Sequence, residues 1–339
     1  RLTMTSAQFL WFLLIGVLFS GFFFLEGFDF GIGMAIKLFG RNTAERDTII
    51  QTIGPHWDGN EVWLITAGGA MFASFPMWYA SLFSGYYLVL FLILVALIFR
   101  GVSFEFRANM KTETWRNFWE WAATIGSFCA AFLFGMLFTS MIEGVPMDAK
   151  GNIFGSFTTY VNWFSLVGGV AVTLMCLIHG LNFLQLKTLG TLRDRAQAWN
   201  KVLYPVLIVG EVLFVILLFI STDFFDKKPI STWSILIVLV LLTLIAWWGV
   251  LKAHNWTAFI ASGLSLISIV VLIFNGLFPR VMIATNSAHS ILIKDASSSP
   301  YTLHIMTIVA FSVLPIVLIY FIWSLSLIHI SEPTRHAQI

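Results

Sequence analysis

Residues 8–36 read QFLWFLLIGVLFSGFFFLEGFDFGIGMAI, an apolar run whose charged side chains are Glu26 and Asp29. A helix needs about 20 mostly apolar residues to cross the hydrocarbon core of a bilayer, and this run exceeds that length. The whole chain has the same character, with 58% hydrophobic and 11% charged residues, whereas a soluble domain has roughly 25% charged residues. The sequence therefore predicts an all-α integral membrane protein.

Eight further segments have the length and composition of spanning helices, so we expect about nine transmembrane helices in a single membrane domain over residues 1–324. We expect the second and third to form a tight hairpin at Pro76, and the turn Lys252–Asn255 to join the seventh and eighth. The expected spans are 8–36, 59–75, 77–99, 118–142, 160–186, 200–221, 234–251, 256–278 and 303–324.

Lysine and arginine are distributed unequally between the two sides of these spans. Cytoplasmic loops carry an excess of both residues, and this bias sets the orientation of a membrane protein. If the N-terminus is outside, the inner loops carry twelve of them and the outer loops six. We therefore expect an external N-terminus. The twelve inner residues are Lys37, Arg41, Arg46, Arg100, Arg107, Lys111, Arg116, Lys187, Arg193, Arg195, Lys201 and Lys252.

The C-terminal residues 325–339 depart from the rest of the chain. Residues 325–335 read LSLIHISEPTR, which is the translation of a widely used sequencing adapter. We expect residues 325–339 to be a non-native tail and the native C-terminus to be missing, so His329 and His336 receive no functional weight.

The acids of the first span are candidates for function, because an ionisable side chain in the hydrocarbon region is costly unless it faces protein, water or a partner. Glu26 and Asp29 are three residues apart, so both lie on one face of a helix. The alternative is that they sit at the end of the span, where side chains reach the interface at little cost.

The second span opens with GPHWDGNEVWLITAGG at residues 54–69. Asp58 and Glu61 fall in its first turns, where the helix dipole stabilises negative charge, so ordinary capping is one interpretation. However, His56, Asp58, Asn60 and Glu61 place four polar groups within six residues, more than capping requires. We therefore take Asp58 and Glu61, with the two acids of the first span, as candidates for a proton pathway.

The remaining ionisable residues of the spans are weaker candidates. Glu211, in the middle of the sixth span, needs a partner or a proton and faces either a neighbouring helix or a quinone-like lipid. We expect His179 to form an interhelical hydrogen bond rather than to bind a ligand. His254 falls in a turn, and His289 and His304 fall at or beyond the outer edges of their spans. A bis-histidine haem needs two deep imidazoles on facing helices, so we expect no haem held by this chain alone and no metal site.

Residues 55–88, PHWDGNEVWLITAGGAMFASFPMWYASLFSGYYL, resemble the signature stretch of subunit II of cytochrome bd-type quinol oxidases. The resemblance is collinear over about residues 7–324, with one departure at Glu26, where the family commonly has aspartate. The other matching stretches are EGFDFGIGM (26–34), FRGVSFEFR (99–107), LKTLGTLRDRA (186–196), LFPRVMIATNSAHS (277–290) and DASSSPYTLHIMT (295–307).

The resemblance implies two four-helix bundles plus one peripheral helix in the bacterial cytoplasmic membrane. It implies a heterodimer with subunit I, which carries the b- and d-type haems, in a complex that oxidises quinol and reduces dioxygen to water. A small single-helix subunit is a further possible partner. By the same resemblance, Asp58, Glu26, Asp29 and Glu61 contribute to the uptake of protons from the cytoplasm at the subunit boundary.

Two other functions are compatible with acids in a membrane span. A proton-coupled transporter also needs them, but such transporters have paired broken helices and inverted repeats, and neither is evident in this sequence. A purely structural partner with no role in proton movement is the second alternative.

Overall fold

A computed structural model describes residues 3–335, with no side-chain description for 321 and 324–335. Of the expected tail, residues 325–335 are therefore described by their backbone alone, and residues 336–339 lie outside the described part. Strands β1 (Arg280–Met282) and β2 (Ile291–Leu292) pair in an antiparallel hairpin. The helices are α1 Ser6–Phe39, α2 Thr43–Ile53, α3 Trp57–Ser74, α4 Pro76–Gly85, α5 Tyr87–Asn109, α6 Glu113–Glu143, α7 Phe157–Tyr160, α8 Trp163–Lys187, α9 Thr191–Ser221, α10 Phe224–Lys227, α11 Pro229–Leu251, α12 Asn255–Leu277, α13 Ile293–Ala296 and α14 Pro300–Arg335.

Eight of the helices in the described residues are long and apolar enough to cross a membrane: α1, α5, α6, α8, α9, α11, α12 and α14. The second expected span corresponds to α3, which has 18 residues and carries Asp58 and Glu61 in its first turns. These two acids and several glycines lower its hydropathy below that of the other spans. The predicted turn between the seventh and eighth spans is confirmed, because α11 ends at Leu251 and α12 begins at Asn255.

The expected third span, 77–99, is wrong in its bounds. A separate ten-residue helix, α4, follows α3, and the spanning helix α5 covers Tyr87–Asn109. Helix α4 contacts β1 and α13. It therefore packs at the end of the bundle against the segments 144–156 and 278–299, which we call the loop layer. Its apolar side chains Trp78 and Leu82 are buried there, and hydropathy alone does not distinguish such burial from contact with lipid.

Together with α3, the eight spanning helices of the described residues form two four-helix bundles and one peripheral helix, as the family resemblance implied. Helices α1, α3, α5 and α6 make the first bundle, and α8, α9, α11 and α12 make the second. Helix α1 packs against α8 and α12 between the two bundles. Helix α14 touches the rest of the chain mainly through α1 and α3.

The two bundles meet at a glycine contact between α1 and α8. A Cβ atom added to Gly31 would lie 2.1 Å from the carbonyl oxygen of Cys176, and one added to Gly180 would lie 2.5 Å from the Cα of Gly31. The backbones are therefore in direct contact, the arrangement that small residues allow between membrane helices.

His179 joins three helices beside this contact. Its Nδ1 lies 2.7 Å from Oγ of Ser262 on α12, and its Nε2 lies 2.8 Å from the carbonyl oxygen of Phe24 on α1. The prediction that this histidine forms an interhelical hydrogen bond is confirmed.

The end of the bundles that carries α2 and the α11–α12 turn is rich in lysine and arginine, and we call it the basic end. Helix α2 is attached there by Arg195 of α9, whose guanidinium donates to both oxygens of Glu45, at 2.8 and 3.1 Å. The same guanidinium donates to the carbonyl oxygen of Phe39 at the end of α1. One arginine therefore fixes the α1–α2 corner on the second bundle.

We predict that Gly180→Ala lowers the free energy of unfolding of the protein in detergent by about 1–3 kcal/mol, because the added methyl group has no room between α1 and α8. Gly210→Ala on α9 is the matched control, since a Cβ at Gly210 meets nothing within 4 Å. That change should stabilise the helix slightly. Equal unfolding midpoints for the two variants would contradict the close contact.

We also predict that Glu45→Gln loosens α2 at neutral pH. Hydrogen bonds from Arg195 and from the backbone amide of Arg41 lower the pKa of Glu45 from 4.5 to about 2. Because the pKa is depressed in the folded state, the stabilisation is complete above pH 4.5 and is lost as the pH falls through about 2.

Hydrogen exchange of α2, measured against pH, tests this prediction. The difference between wild type and Glu45→Gln should shrink as the pH falls from 4.5 to about 2. Glu113→Gln, at an exposed position in the first turn of α6, should show no such difference. If the difference in hydrogen-exchange rate between wild type and Glu45→Gln does not change over this pH window, the ion pair is not the anchor of α2.

Candidate functional site

Glu26 and Asp29 lie inside the first bundle, where α1 meets α3 and α5. Both residues are completely buried. They precede the last residue of α1, Phe39, by thirteen and ten positions, which places them about 20 and 15 Å from the helix end. The interpretation that they reach the interface from the end of the span is therefore excluded.

Arg100 of α5 is the cation of this site and is completely buried as well. Its Nη1 lies 2.7 Å from Oε1 of Glu26 and 2.7 Å from Oε1 of Glu61. The contact with Glu61 is a hydrogen bond, whereas the contact with Glu26 is an ion pair without hydrogen-bond geometry. The rings of Phe30 and Phe104 lie 5.1 and 5.4 Å from the guanidinium carbon, within the range of cation–π attraction.

Asp29 is held by an amide from the second expected span. Nδ2 of Asn60 donates to Oδ2 of Asp29 at 2.7 Å, and Asn60 is itself buried. Both acids thus point into the first bundle, Glu26 towards Arg100 and Asp29 towards Asn60. The prediction that these two acids lie on one face of α1 is therefore confirmed.

Asp58 lies at the entrance of the site rather than in it. Its side chain is exposed in the first turn of α3, and its Oδ1 accepts a hydrogen bond from the amide of Gly59. Glu61 follows one turn later with a side chain that is 25% exposed. Of the four candidate acids, the structure thus joins Glu26, Asp29 and Glu61 around Arg100 and leaves Asp58 at the surface nearby.

The site has more acids than cations. Among the described residues, Arg100 is the one cation within ion-pair distance of Glu26 and Glu61, and Asp29 has an amide partner but no cation. Three ionised carboxylates would leave two uncompensated negative charges, and burying such charges is costly. Such an arrangement can take up a proton, so the chemistry that it permits is the binding and release of protons.

Glu120 of α6 forms a second buried charged group, at the basic end, which was not among the expected site residues. Its carboxylate lies 3.6 Å from Lys37, 3.4 Å from Arg46 and 3.9 Å from Arg107. Arg107 also pairs with Asp47 of α2 at 2.7 Å. Glu120 is compensated by cations from three other helices, so this group holds α1, α2, α5 and α6 together.

The prediction that Arg100 lies in an inner loop is wrong. The expected span 77–99 ended one residue before it, whereas Arg100 lies well inside α5. The available signal was the apolar sequence on both sides of Arg100, in LIFRGVSFEF (97–106). A span moved by ten residues would have placed this arginine in the membrane beside the acids.

The other candidate residues lie away from this site. Glu211 is buried in the second bundle beside Thr243 of α11. His254 stacks on Trp248 at the α11–α12 turn. Nδ1 of His289 lies 2.9 Å from the carbonyl oxygen of Met147 in the loop layer, and His304 is exposed on α14.

The described residues do not fit a haem or metal site. His179 is the buried histidine among them, and both of its ring nitrogens are engaged by Ser262 and Phe24. Within residues 3–335, as far as side chains are described, no group of three or more histidine, cysteine, aspartate or glutamate side chains could hold a metal ion.

Comparison with known proteins gives consistent matches over nearly the whole chain. The family model described as cytochrome bd terminal oxidase subunit II matches residues 7–328. Cytochrome bd ubiquinol oxidase subunit 2 of Bacillus subtilis (strain 168) is 43% identical over 322 residues, covering 95% of each chain. Cytochrome bd-I ubiquinol oxidase subunit 2 of Escherichia coli (strain K12) is 36% identical, covering 93% of this chain and 92% of that one.

A solved structure shares the fold. A chain of the bd oxidase from Geobacillus thermodenitrificans superimposes with a TM-score of 0.73 at 16% identity, covering 96% of this chain and 99% of that chain.

Proposed function

The chain belongs to the cytochrome bd terminal oxidase subunit II family, and from this premise we propose that it supplies part of the proton route of a quinol oxidase. As a member of this family it is a multi-pass bacterial membrane protein and a component of a quinol oxidase complex. The observation that carries the proposal is the excess of buried acids around Arg100.

The reacting groups of the complex belong, in this proposal, to its partner. Subunit I holds the b- and d-type haems, which carry electrons from quinol to dioxygen, and a small single-helix subunit is a further partner. This chain contributes no haem ligand in the proposal, in agreement with the two engaged nitrogens of His179. Its own part is to stabilise subunit I and to deliver protons.

The proposed route begins at Asp58, which is open to water. A proton passes next to Glu61, one turn further along α3 and still partly exposed, and then to Glu26 through the space around Arg100. Glu26 is the deepest acid of the group, and Asp29, one turn nearer the basic end of α1, is oriented by Asn60. Arg100 carries one positive charge and therefore compensates one ionised carboxylate. It thus limits the negative charge that the site can hold.

We propose that the basic end faces the cytoplasm. The basic residues at this end lie in α2, in the last turn of α8, in the first turns of α9 and in the α11–α12 turn, in accordance with the positive-inside tendency. They are Arg46, Lys187, Arg193, Arg195 and Lys252. The mouth at Asp58 opens at the same end, because α3 begins there, directly after α2. The N-terminus of α1 then lies outside, and the route takes protons from the cytoplasm.

The outward face of α3 is the proposed contact with subunit I. Gly59 and Gly69 are exposed on this face, and a Cβ at either position meets nothing within 4 Å. The side chain of Glu61, on the same helix, is 25% exposed. A carboxylate facing lipid is costly, so a protein partner packed closely against α3 accounts for both the small residues and the charge.

A purely structural role is the second candidate function. It is supported by the direct contact of Arg100 with two acids, since removing one partner of a buried ion pair destabilises a protein strongly. The two functions differ in what happens when a titrating group is replaced by its amide in an intact complex.

We predict that Glu26→Gln in the assembled oxidase slows dioxygen reduction on the order of 100-fold, because a fixed amide cannot exchange the proton. Asp58→Asn should slow it less, since water can reach Glu61 directly. Dioxygen consumption, proton uptake and haem content would be measured on the same preparations. Glu113→Gln, at an exposed position on α6, serves as the control.

Wild-type turnover and proton uptake in a fully assembled Glu26→Gln complex would refute the relay role. Loss of the haems together with the activity would instead support the structural role. Glu61→Gln is the second variant, because its side chain is partly exposed and its replacement perturbs the packing less.

We predict that Gly69→Leu weakens the association with subunit I without unfolding this chain. The position is open in the isolated chain, so the leucine fits there, but it prevents close packing of a partner helix. Gly210→Leu is the matched control, at another glycine with open space on α9. Haem that co-purifies with the tagged chain should fall for Gly69→Leu alone. An equal haem yield from both variants would place the interface elsewhere.

A further inference from the structure

Glu211 is a buried acid that the proposed proton route does not use. It lies ten residues before the end of α9, Ser221, about 15 Å from that end and hence near the middle of a bilayer core about 30 Å thick. It is 5% exposed. A carboxyl group at this depth is either paired with a cation or neutral.

The surroundings of Glu211 contain no cation among the described residues. It borders a small cavity of about 40 Å³ between the two bundles, whose walls come from α1, α6, α8, α9, α11 and α12. These walls are apolar apart from Glu211 itself and Thr139. Tyr204 lies two turns earlier on α9, and its hydroxyl accepts a hydrogen bond from Asn182.

The hydrogen bonds around Glu211 favour one position for a proton. Oγ1 of Thr243 is 2.6 Å from Oε1 of Glu211 and 3.0 Å from the carbonyl oxygen of Leu239. A threonine hydroxyl has a single hydrogen and cannot donate to both. The backbone carbonyl oxygen has no hydrogen of its own, whereas a carboxyl group can carry one.

Both contacts are satisfied if Glu211 is protonated on Oε1. The acid then donates to Oγ1 of Thr243, and the hydroxyl of Thr243 donates to the carbonyl oxygen of Leu239. The other oxygen, Oε2, is buried without a hydrogen-bond partner in the described part of the chain. An unpartnered carbonyl oxygen is tolerable in an apolar wall, but an unpartnered carboxylate oxygen is not.

We infer that Glu211 is a second proton-binding site of this chain, held as a neutral carboxylic acid whose O–H group donates to Thr243. This site differs from the acids around Arg100, because the described side chains place neither a counter-cation nor an exposed acid beside it. The hydrogen bond joins α9 to α11, two helices of the second bundle, within the region where water is excluded.

Infrared spectroscopy of the assembled complex, with isotope-labelled glutamate, tests this inference. We expect Glu211→Gln to lose one carbonyl-stretching band of a protonated carboxylic acid, with no loss of carboxylate bands. Glu113→Gln, the exposed control on α6, should lose carboxylate bands instead. Loss of carboxylate bands at neutral pH in Glu211→Gln would overturn the inference.

A second variant keeps the test decisive if Glu211→Gln fails to assemble. Thr243→Val retains the acid and removes its hydrogen-bond acceptor, so the acid band should persist and shift to higher frequency, as a carbonyl group does when the hydrogen bonding of its acid weakens. An unshifted band would show that Thr243 is not the acceptor, and the inference would fail.

Discussion

The contact of one guanidinium with two carboxylates, at Arg100, is the constraint on which the first bundle depends. Arg100, Glu26 and Glu61 come from three different helices, so their two 2.7 Å contacts fix α1, α3 and α5 relative to one another. The aromatic rings of Phe30 and Phe104 line the guanidinium and exclude lipid from it. In a medium of low dielectric constant this geometry cannot relax without exposing a charge, so the acids that move protons in our proposal also fix the position of these helices.

The spanning helices could be predicted from the sequence because lipid imposes a simple rule on length and composition. The error at 77–99 shows where that rule stops. Residues 76–85 are as apolar as a span, yet they form α4, which buries Trp78 and Leu82 against the loop layer. Hydropathy reports that a side chain avoids water, but it does not report whether lipid or protein takes its place. The neighbours of α4, β1 and α13, lie about 200 residues later in the sequence, and local patterns do not contain them.

The buried acids could be predicted from the sequence, whereas their partners could not. A charged residue inside an apolar run is conspicuous in any single sequence, which is why Glu26, Asp29 and Glu211 were singled out. Their partners are Arg100, Asn60 and Thr243. Asn60 and Thr243 are ordinary polar residues, and Arg100 lies one residue beyond the end of the expected span 77–99. The pairing depends on which helices are neighbours and on their rotation about their own axes. Neither quantity follows from the composition of one helix.

The two bundles compensate their buried acids by different means, and this difference separates their roles. In the first bundle a cation and an amide stabilise the ionised forms, and the mouth at Asp58 gives access to water. Such acids can exchange protons, because neither protonation state is prohibitively costly. In the second bundle Glu211 has a hydroxyl and an apolar wall, so only the neutral form is well accommodated. An acid of this kind keeps its proton and acts as a link between helices. In our proposal, protons therefore move through the first bundle, where charge can be balanced.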